Sequence, residues 1–220
     1  MKRLRVDFHT HTIYSPDSLT RPEKLLATCR RRGLDRVVVS DHNTIQGALH
    51  AKELDPERVI VGEEINTTEG ELLAVYVSEE IPPGLAPLEA ITRLREQGAL
   101  ISVSHPFDKI RKGHWKLEAL LTILPHIDAI ETFNARCLWP GFNRRAARFA
   151  REHQIPGTHG SDAHALFEIG NGALILPHFD DVPSLKIALQ HAEPGRWLPS
   201  APWVHFASRY AAWYKGRKRK

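Results

Sequence analysis

Short runs of aliphatic residues alternate with amphipathic stretches along the chain. Residues 36–40 contain three consecutive valines with a charge at one end only, which is typical of a strand covered on both faces of a sheet. Residues 87–97 have apolar side chains at positions 88, 91 and 94, the spacing of one helix face, and Gly98 ends that stretch. The pattern predicts strands at residues 4–8, 36–40, 58–61, 72–77, 99–103, 127–130, 157–159 and 173–176, with a turn at 67–70.

Helices are predicted between these strands. Thr20, Pro22 and Glu23 form the pattern of a capping box with an early proline, which predicts a helix that Gly33 ends. Roughly seven strands alternating with helices imply parallel βαβ units, and 220 residues suit a barrel of fewer than eight units. An open doubly wound sheet is the alternative, although the chain has neither Gly-x-Gly-x-x-Gly nor a Walker A sequence. Further helices are predicted at residues 44–54, 87–97, 116–124, 143–153 and 183–191.

The composition is that of a globular domain with a full core. Hydrophobic residues make up 42% and charged residues 25% of the chain, which excludes disordered and collagen-like sequences. No apolar run approaches the roughly 18 to 20 residues that cross a bilayer, and the first residues contain no signal-peptide core, so a cytoplasmic location is expected. Cys29 and Cys137 supply neither a disulfide framework nor a thiolate metal cage.

The net charge of +4 comes from the carboxyl-terminal end of the chain. Glu193 is the last acidic residue, and seven basic residues follow it. Without those seven, 23 basic residues stand against 26 acidic residues, so the body of the chain is mildly acidic. Tryptophans at 197, 203 and 213 interleave with proline and basic residues in the same region. We therefore expect one barrel domain over residues 1–193 and a packed extension with a basic tail over residues 194–220.

Polar residues follow the predicted strands, where the carboxyl ends of parallel strands form one rim of an α/β barrel. His9 and His11 lie two residues apart at a strand end, so both side chains point to one face and can bind one ion. Asp162 and His164 repeat this spacing. The strand-end clusters are Asp7-Phe-His-Thr-His11, Ser15-Pro-Asp-Ser18, Ser40-Asp-His-Asn43, Gly62-Glu-Glu-Ile65, Ser104-His-Pro-Phe107, Glu131-Thr-Phe-Asn134 and Gly160-Ser-Asp-Ala-His164.

The chemistry of these clusters indicates divalent metal ions. Imidazole and carboxylate groups without thiolates favour Mn, Zn or Fe over a structural zinc. More than four candidate ligands imply more than one ion, and two ions about 3.5 to 4 Å apart can clamp a phosphoryl group and share a hydroxide nucleophile. Each pair alone is also consistent with ordinary strand-end polarity, and Asp41 and Ser161 could cap helices or orient a histidine. Their convergence on one rim favours a metal centre.

Taken in order, the clusters resemble the motifs of the PHP family, the polymerase and histidinol phosphatase superfamily, over about residues 6–177. The resemblance implies a distorted (β/α)7 TIM-like barrel that binds up to three divalent ions and hydrolyses phosphate esters. It implies one ion at His9, His11, Glu64 and Asp162, a second ion shared through Glu64 and held by His105, and a third at Asp17, His42 and His164.

One position departs from the family pattern. Where the family carries a histidine before two leucines, this sequence has Glu71. The carboxylate could be an oxygen ligand that makes the second site harder and favours Mn or Mg over Zn. It could equally face solvent and leave that site poorly occupied.

The expected mechanism is an in-line attack on phosphorus by a hydroxide that bridges the ions. Glu64 and His164 belong to the catalytic ligand set, and Asp17 or a water beside it is the candidate proton donor to the leaving alkoxide. The expected substrate is a phosphate ester such as a nucleoside 3′,5′-bisphosphate or the 5′ end of a short oligonucleotide. A histidinol-phosphate-type phosphatase and an amidohydrolase acting on a carbonyl are the alternatives.

Cations at the rim are expected to bind the substrate phosphate, because a guanidinium can bind phosphate oxygens in pairs. Arg136 follows Asn134 after one strand, and Lys109, Arg111 and Lys112 lie in the loop after His105. A solvated loop is the alternative for the last three. The tail, with Trp213, Tyr214 and residues 215–220, could bind nucleic acid or an anionic membrane, or it could simply be solvated. The sequence predicts no oligomeric state.

Overall fold

Nine strands form one curled sheet within residues 2–218, the part of the chain that the computed structural model describes. The strands are β1 (Arg3–Thr10), β2 (Arg36–Val39), β3 (Val59–Asn66), β4 (Glu71–Val75), β5 (Leu100–Val103), β6 (Ala129–Asn134), β7 (Gly157–Gly160), β8 (Gly172–Pro177) and β9 (Glu193–Trp197). Their order in the sheet is β7-β6-β5-β4-β3-β2-β1-β8-β9.

Seven α-helices accompany the sheet in the described residues. They are α1 (Pro22–Arg31), α2 (Gln46–Leu54), α3 (Pro87–Glu96), α4 (Leu117–Ile123), α5 (Pro140–Glu152), α6 (Val182–Gln190) and α7 (Val204–Lys218). A short 3-10 helix, Leu124–His126, follows α4. No helix of residues 2–218 is both long and apolar enough to cross a membrane.

The strands are not all parallel, so the prediction of parallel βαβ units holds only in part. Neighbouring strands are parallel from β1 to β3 and from β5 to β7, whereas β4 is antiparallel to both β3 and β5. The predicted turn at 67–70 is the cause, because the Thr67 N–H donates to the Gly70 carbonyl at 2.9 Å and reverses the chain into a hairpin. The predicted α/β class is confirmed.

The curl brings the carboxyl ends of six strands to one rim. Because β3 and β5 are both antiparallel to β4, they point in the same direction. The segment after β7 then reaches β1, where the Asp162 N–H donates to the His9 carbonyl at 2.7 Å and the His11 N–H donates to the Ala163 carbonyl at 2.9 Å. The rim therefore carries the ends of β1, β2, β3, β5, β6 and β7, together with the start of β4.

The valines of β2 are covered on both faces, as the sequence predicts. Val38 packs inside the curl in one cluster with Phe8, whereas Val37 and Val39 pack outside it in a cluster with Leu25 of α1. All are fully buried. Burying an aliphatic or aromatic side chain contributes about 1.5 to 3 kcal/mol, so these layers fix the strands that carry the rim.

The capping box predicted at Thr20 is wrong. Helix α1 begins at Pro22 with Arg21 as its N-cap, and no side chain caps it. The Thr20 hydroxyl instead donates to the His164 carbonyl at 3.0 Å, which ties the start of α1 to the rim. A capping box is found at α6, where Asp181 and Ser184 exchange hydrogen bonds.

The carboxyl-terminal region is more ordered than the sequence pattern predicts. Strand β9 pairs antiparallel with β8, and α7 forms a helix of 15 residues. Neither element is predicted, because β9 contains proline and glycine and is exposed throughout, while α7 lacks a regular apolar stripe. Arg219 and Lys220 of the predicted basic tail lie outside the described residues.

Candidate metal centre

The side chains of all the predicted metal ligands lie together at the rim. Those of His9, His11, Glu64 and Asp162 are fully buried, and Asp17 is the most exposed with 27% of its side chain accessible. Three sets place nitrogen and oxygen atoms within 4.8 Å of one another. The sets are His9, His11 and Glu64; Glu64, Glu71 and His105; and His11, His42 and His164.

The first set joins the end of β1 with β3, and Asp162 from the loop after β7 adjoins it. His9 Nε2 lies 3.2 Å from Glu64 Oε2, and His11 Nε2 lies 3.3 Å from Asp162 Oδ1. The two histidine Nε2 atoms are 3.0 Å apart. Ligands that each stand about 2.1 Å from one ion are themselves roughly 3 to 3.5 Å apart, so these atoms fit a common ion.

The second set includes Glu71, which does not face solvent. His105 Nε2 lies 3.0 Å from Glu64 Oε1 and 3.3 Å from Glu71 Oε2, and only 15% of the Glu71 side chain is exposed. Because β4 runs antiparallel to its neighbours, its first residue comes to the rim where the other strands end. The alternative of a solvent-facing Glu71 is therefore wrong.

The third set lies nearest the solvent. His164 Nε2 is 3.0 Å from Asp17 Oδ2, and His42 Nε2 is 3.7 Å from the same oxygen. The rings of His11 and His164 are 4.1 Å apart between centroids. Asp17 and His42 are each partly exposed, so this part of the cluster opens to the outside.

Unpaired buried atoms show that the cluster fits divalent ions. Five buried ligand atoms make no hydrogen bond of good geometry among the described residues, although other ligand atoms stand 3.0 to 3.3 Å from several of them. They are Asp17 Oδ1, His42 Nδ1, Glu64 Oε2, Asp162 Oδ1 and His164 Nε2. A buried polar atom left in this state costs about 1 to 3 kcal/mol. Buried carboxylate and imidazole atoms that cluster without well-formed hydrogen bonds match the donor set of Mn, Zn or Fe.

The electrostatics of the cluster favour positive charge beside its carboxylates. Burial opposes protonation of His9, but the charges of Glu64 and Asp162 outweigh it and raise its pKa well above the usual value. Burial lowers the pKa of His11 well below the usual value, and the charge of His164 adds to this. A neutral imidazole at His11 is the form that binds metal, and the carboxylates around His9 attract a cation.

The backbone is strained at two of these residues. His105 has φ +23° and Asp162 has φ +52°, in the left-handed region that favours glycine. Such a conformation costs on the order of 1 to 3 kcal/mol and persists where surrounding contacts enforce it. Here the His105 N–H donates to Glu131 Oε2 at 2.8 Å, and Asp162 is held by the bond to β1.

Two family models match most of this chain. The PHP domain matches residues 7–112, and the PHP-associated family matches residues 140–186. An uncharacterized protein of Methanocaldococcus jannaschii is 37% identical over 145 residues, which are 60% of this chain and 82% of that protein. The chain belongs to the PHP family. The resemblance stated from the strand-end motifs is confirmed.

Solved structures share the PHP fold. A two-domain protein from Bacteroides vulgatus, described as containing a PHP-like metal-dependent phosphoesterase, has a TM-score of 0.70 at 18% identity, over 87% of this chain and 65% of that one. A lesion-specific endonuclease from Pyrococcus furiosus has a TM-score of 0.59 at 16% identity, over 86% of this chain and 56% of that one. This chain spans less than two thirds of each, and the likeness is one of fold.

Residues around the candidate ligands orient their side chains. Glu131 Oε1 accepts from His9 Nδ1 at 3.0 Å, which turns His9 Nε2 toward the centre. Ser15 Oγ lies 3.0 Å from His11 Nδ1, and the Ser104 hydroxyl donates to Glu64 Oε1 at 2.6 Å. All three residues belong to the strand-end clusters, but their orienting role is not apparent from the sequence.

Asp41 and Ser161 anchor backbone. Asp41 accepts hydrogen bonds from the Thr12 N–H at 2.6 Å and the Ser15 N–H at 3.2 Å, which fixes the loop after β1. The Ser161 N–H donates to Asp7 Oδ1 at 2.9 Å. These contacts hold the loops that carry the candidate ligands.

The predicted substrate-binding residues occupy different positions. Arg111 reaches into the centre, where its guanidinium pairs with Asp162 and lies 3.4 Å from Asp108 Oδ2. Lys109 and Lys112 are exposed on the same loop. Asn134 is buried, and its amide donates to Glu131 Oε2 at 3.0 Å and to Asp162 Oδ2 at 3.1 Å. It therefore contacts two carboxylates of the cluster rather than solvent.

Arg136 is not a free cation at the rim, which is a correction to the sequence analysis. Only 3% of the residue is exposed, and its Nε lies 3.2 Å from Glu168 Oε1. The guanidinium also donates to the Val204 carbonyl at 3.2 Å and to Ser208 Oγ at 2.7 Å, both in α7. Sequence reasoning missed this role because α7 was not predicted.

Glu168 was also missed. It accepts from the backbone N–H of His164 at 3.2 Å and of Ala165 at 3.1 Å, and its side chain is fully buried. It therefore links the loop that carries His164 to Arg136. Its position in the sequence, four residues after His164, is the feature that could have indicated a contact with the His164 loop.

Proposed function

We propose that this PHP chain is a metal-dependent phosphoesterase that hydrolyses a phosphate ester. The main support for this proposal is the position of Glu64, whose two carboxylate oxygens face two different ligand sets. Oε2 lies 3.2 Å from His9 Nε2, and Oε1 lies 3.0 Å from His105 Nε2. A carboxylate shared in this way suits two neighbouring ions, the arrangement that many phosphatases and nucleases use.

Nine side chains would hold the ions in this proposal. When bound, divalent ions supply Lewis-acid charge that offsets phosphoryl charge and favours the ionisation of water. The carboxylate of Glu71 would make the second site harder than a histidine does and favour Mn or Mg there. The proposed sets are His9, His11, Glu64 and Asp162; Glu64, Glu71 and His105; and Asp17, His42 and His164.

The chain's own residues would orient the substrate and move protons. Arg111 and Lys109 are assigned to phosphate binding, since they lie on one loop beside the centre and a guanidinium binds phosphate oxygens well. A water held beside Asp17, on the open side of the centre where 27% of that side chain is exposed, is assigned to delivering the proton that the leaving alkoxide needs. Asn134 is assigned to positioning Asp162.

The proposed substrate is a nucleoside 3′,5′-bisphosphate or the 5′ end of a short oligonucleotide. Support comes from the cations of the loop after β5 and from the seven basic residues after Glu193, which suit a substrate with more than one phosphate. Histidinol phosphate is the alternative ester. A carbonyl substrate would make the chain an amidohydrolase.

We also propose residues 1–193 as the catalytic barrel, with β1 to β7 as its seven strands, and residues 194–220 as an extension. The hydrogen bonds between β1 and the segment after β7 support a barrel of seven strands. Strand β9 begins at Glu193 and pairs with β8, so the extension is joined to the same sheet.

The test is a product assay on purified protein with measured metal content. Wild-type chain with Mn²⁺ is expected to release inorganic phosphate from nucleoside bisphosphates or 5′-phosphorylated oligonucleotides. His9→Ala is expected to lose bound metal and activity together, because His9 belongs to the first set. His178→Ala is the matched control, since 42% of that side chain is exposed and it lies after β8, away from the rim.

Two outcomes would count against the proposal. A chain that binds two or more ions and releases no phosphate from any ester would contradict it, most clearly if His9→Ala behaves like the wild type. Release of an amine or a carboxylate from an amide, without phosphate release from esters, would assign the centre to carbonyl chemistry.

A further inference from the structure

Helix α7 has two faces of opposite character. Positions 204, 208, 211 and 215 recur at helical spacing and face the body of the protein. Val204 and Ala211 are buried there, and Ser208 accepts a hydrogen bond from Arg136. The outer face of α7 consists of Phe206, Tyr210, Trp213 and Arg217.

Helix α7 is attached to the rim at both of its ends. Near its first residue, Arg136 from the end of β6 donates to the Val204 carbonyl. Near its last turn, the Lys215 ammonium donates to the carbonyls of Ile13 and Ser15, in the loop that follows β1 and carries Asp17. The helix therefore spans the rim from the β6 side to the β1 side, next to the open part of the metal centre.

The outer face of α7 is a row of exposed rings. Phe206 is 70%, Tyr210 56% and Trp213 52% accessible, although rings of this size usually pack in a core. The Tyr210 and Trp213 centroids are 5.8 Å apart, and the guanidinium carbon of Arg217 lies 4.4 Å from the Trp213 centroid. The row from Phe206 to Arg217 extends about 16 Å at 1.5 Å per residue.

The positive charge of this region favours nucleic acid as the ligand of the row of rings. Helix α7 contains four basic residues and no acidic one, so the helix that carries the rings attracts phosphate. Rings that alternate with cations bind single-stranded nucleic acid, because bases stack on the rings while the cations contact the backbone. The helix that carries the row also contacts the loop of Asp17, beside a centre that is proposed to act on a phosphate ester.

We propose that the outer face of α7 binds a single-stranded polynucleotide by base stacking and leads its phosphorylated end to the metal centre. This inference rests on the proposed phosphoesterase function and selects the oligonucleotide from the two substrates proposed for it. Arg217 contacts a backbone phosphate, and Tyr210 and Trp213 each stack against a base.

The direct test measures binding by fluorescence anisotropy of a labelled, 5′-phosphorylated oligothymidylate of ten nucleotides, with EDTA present so that turnover does not interfere. Tyr210→Ala with Trp213→Ala is expected to weaken binding at least tenfold, and Trp213→Phe alone is expected to stay near wild type because a ring is kept. Ile187→Ala is the matched control, since this apolar side chain on α6 is 62% exposed and lies outside the row. An abasic oligomer of equal length and charge should bind the wild type more weakly and should not distinguish the variants.

A second readout separates this inference from the proposed function. Phosphate release is measured on a mononucleotide and on the oligonucleotide, and the double variant is expected to lower the ratio of kcat/KM for the oligonucleotide to that for the mononucleotide at least tenfold. If no ester is hydrolysed but binding still depends on the rings, the proposed function fails, and with it the delivery of the phosphorylated end, whereas base stacking on α7 stands.

Three results would overturn the inference while leaving the phosphoesterase intact. The first is equal oligonucleotide affinity in wild type and double variant, and the second is equal affinity for the abasic and normal oligomers. The third is ring-dependent binding to phosphatidylserine vesicles without binding to the oligonucleotide, which would assign the row to a membrane surface.

Discussion

The metal centre and helix α7 meet at one rim, yet they are held there in different ways. His9, Glu64 and Asp162 are completely buried, and each contacts several groups from different strands. Trp213 in α7 is half exposed, and the helix depends on contacts near its two ends. Changes in the centre should therefore alter metal binding, whereas changes on α7 should alter which substrate is used.

The density of contacts at the centre also explains how two candidate ligands keep an unfavourable backbone conformation. His105 and Asp162 have left-handed backbones that many neighbouring hydrogen bonds can enforce. A helix attached through a few side chains, such as α7, could not enforce a comparable distortion. The dense contacts of the centre thus hold these two residues in a backbone conformation that residues other than glycine rarely adopt.

The largest effect is expected for Glu64→Gln, which keeps the shape but removes the charge shared by two ligand sets. Bound metal should fall by at least one ion per chain, and kcat/KM should fall by more than about 100-fold, the upper effect of changing an outer partner of a ligand. Metal analysis and phosphate release on the same sample check this. Glu53→Gln on the exposed side of α2 is the control, and full metal content in Glu64→Gln would refute the bridging position.

Arg136→Met should give the next largest effect, on stability, by removing the link between the two regions. It leaves Glu168 buried without its partner, and breaking such a pair costs about 3 to 5 kcal/mol of the free energy of unfolding. Urea unfolding measures the loss, with Arg148→Met, 67% exposed, as the control. The double variant Arg136→Met with Glu168→Leu should recover part of it; additive losses would show that the two residues do not interact.

Sequence reasoning predicted the parts of this molecule that depend on local pattern. The buried β2 valines and the strand-end histidines were found because a sheet buried on both faces and a shared rim leave regular traces in sequence. The direction of β4 was not found, since strand residues have the same pattern in a parallel or an antiparallel pair. The hairpin that brings Glu71 to the rim depends on tertiary pairing.

Long-range partners account for the other differences. Arg136 was expected to bind phosphate because its neighbours in sequence are rim residues, but its hydrogen-bond partners come from residues 204 and 208. The hydroxyl of Thr20 was expected to cap a helix and instead binds the carbonyl of His164. In each case a polar side chain has several possible partners, and the choice is made by folding of distant segments.

A smaller effect, on metal affinity alone, is expected for Glu131→Gln. The amide cannot accept from His9, His105 and Asn134 as the two carboxylate oxygens do, so the orientation of the His9 ring is less well fixed. Metal affinity should fall about 10-fold to 100-fold. Competition with a chelator measures it, and Glu152→Gln on the exposed end of α5 is the control. Unchanged affinity would mean that Glu131 supports the fold rather than the ligand.

The smallest effect concerns His159, which joins the body to the extension where β7 meets β9. Its Nδ1 accepts a hydrogen bond from the Trp197 indole at 3.0 Å, and burial lowers its pKa to about 3 from 6.5. Protonation would remove the acceptor, so the folded protein holds His159 neutral.

Since the folded pKa lies below the unfolded value, this contribution to stability is present above pH 6.5 and is lost as the pH falls toward 3. Between pH 8 and pH 5 the wild type should lose up to about 2 kcal/mol of unfolding free energy from this group. His159→Gln should lack that part of the pH dependence, while His178→Gln, whose side chain is 42% exposed, should keep it. Urea unfolding at both pH values measures the difference. Parallel losses in wild type and His159→Gln would show that the junction with the extension does not depend on a neutral imidazole, and that the two regions are coupled through Arg136 instead.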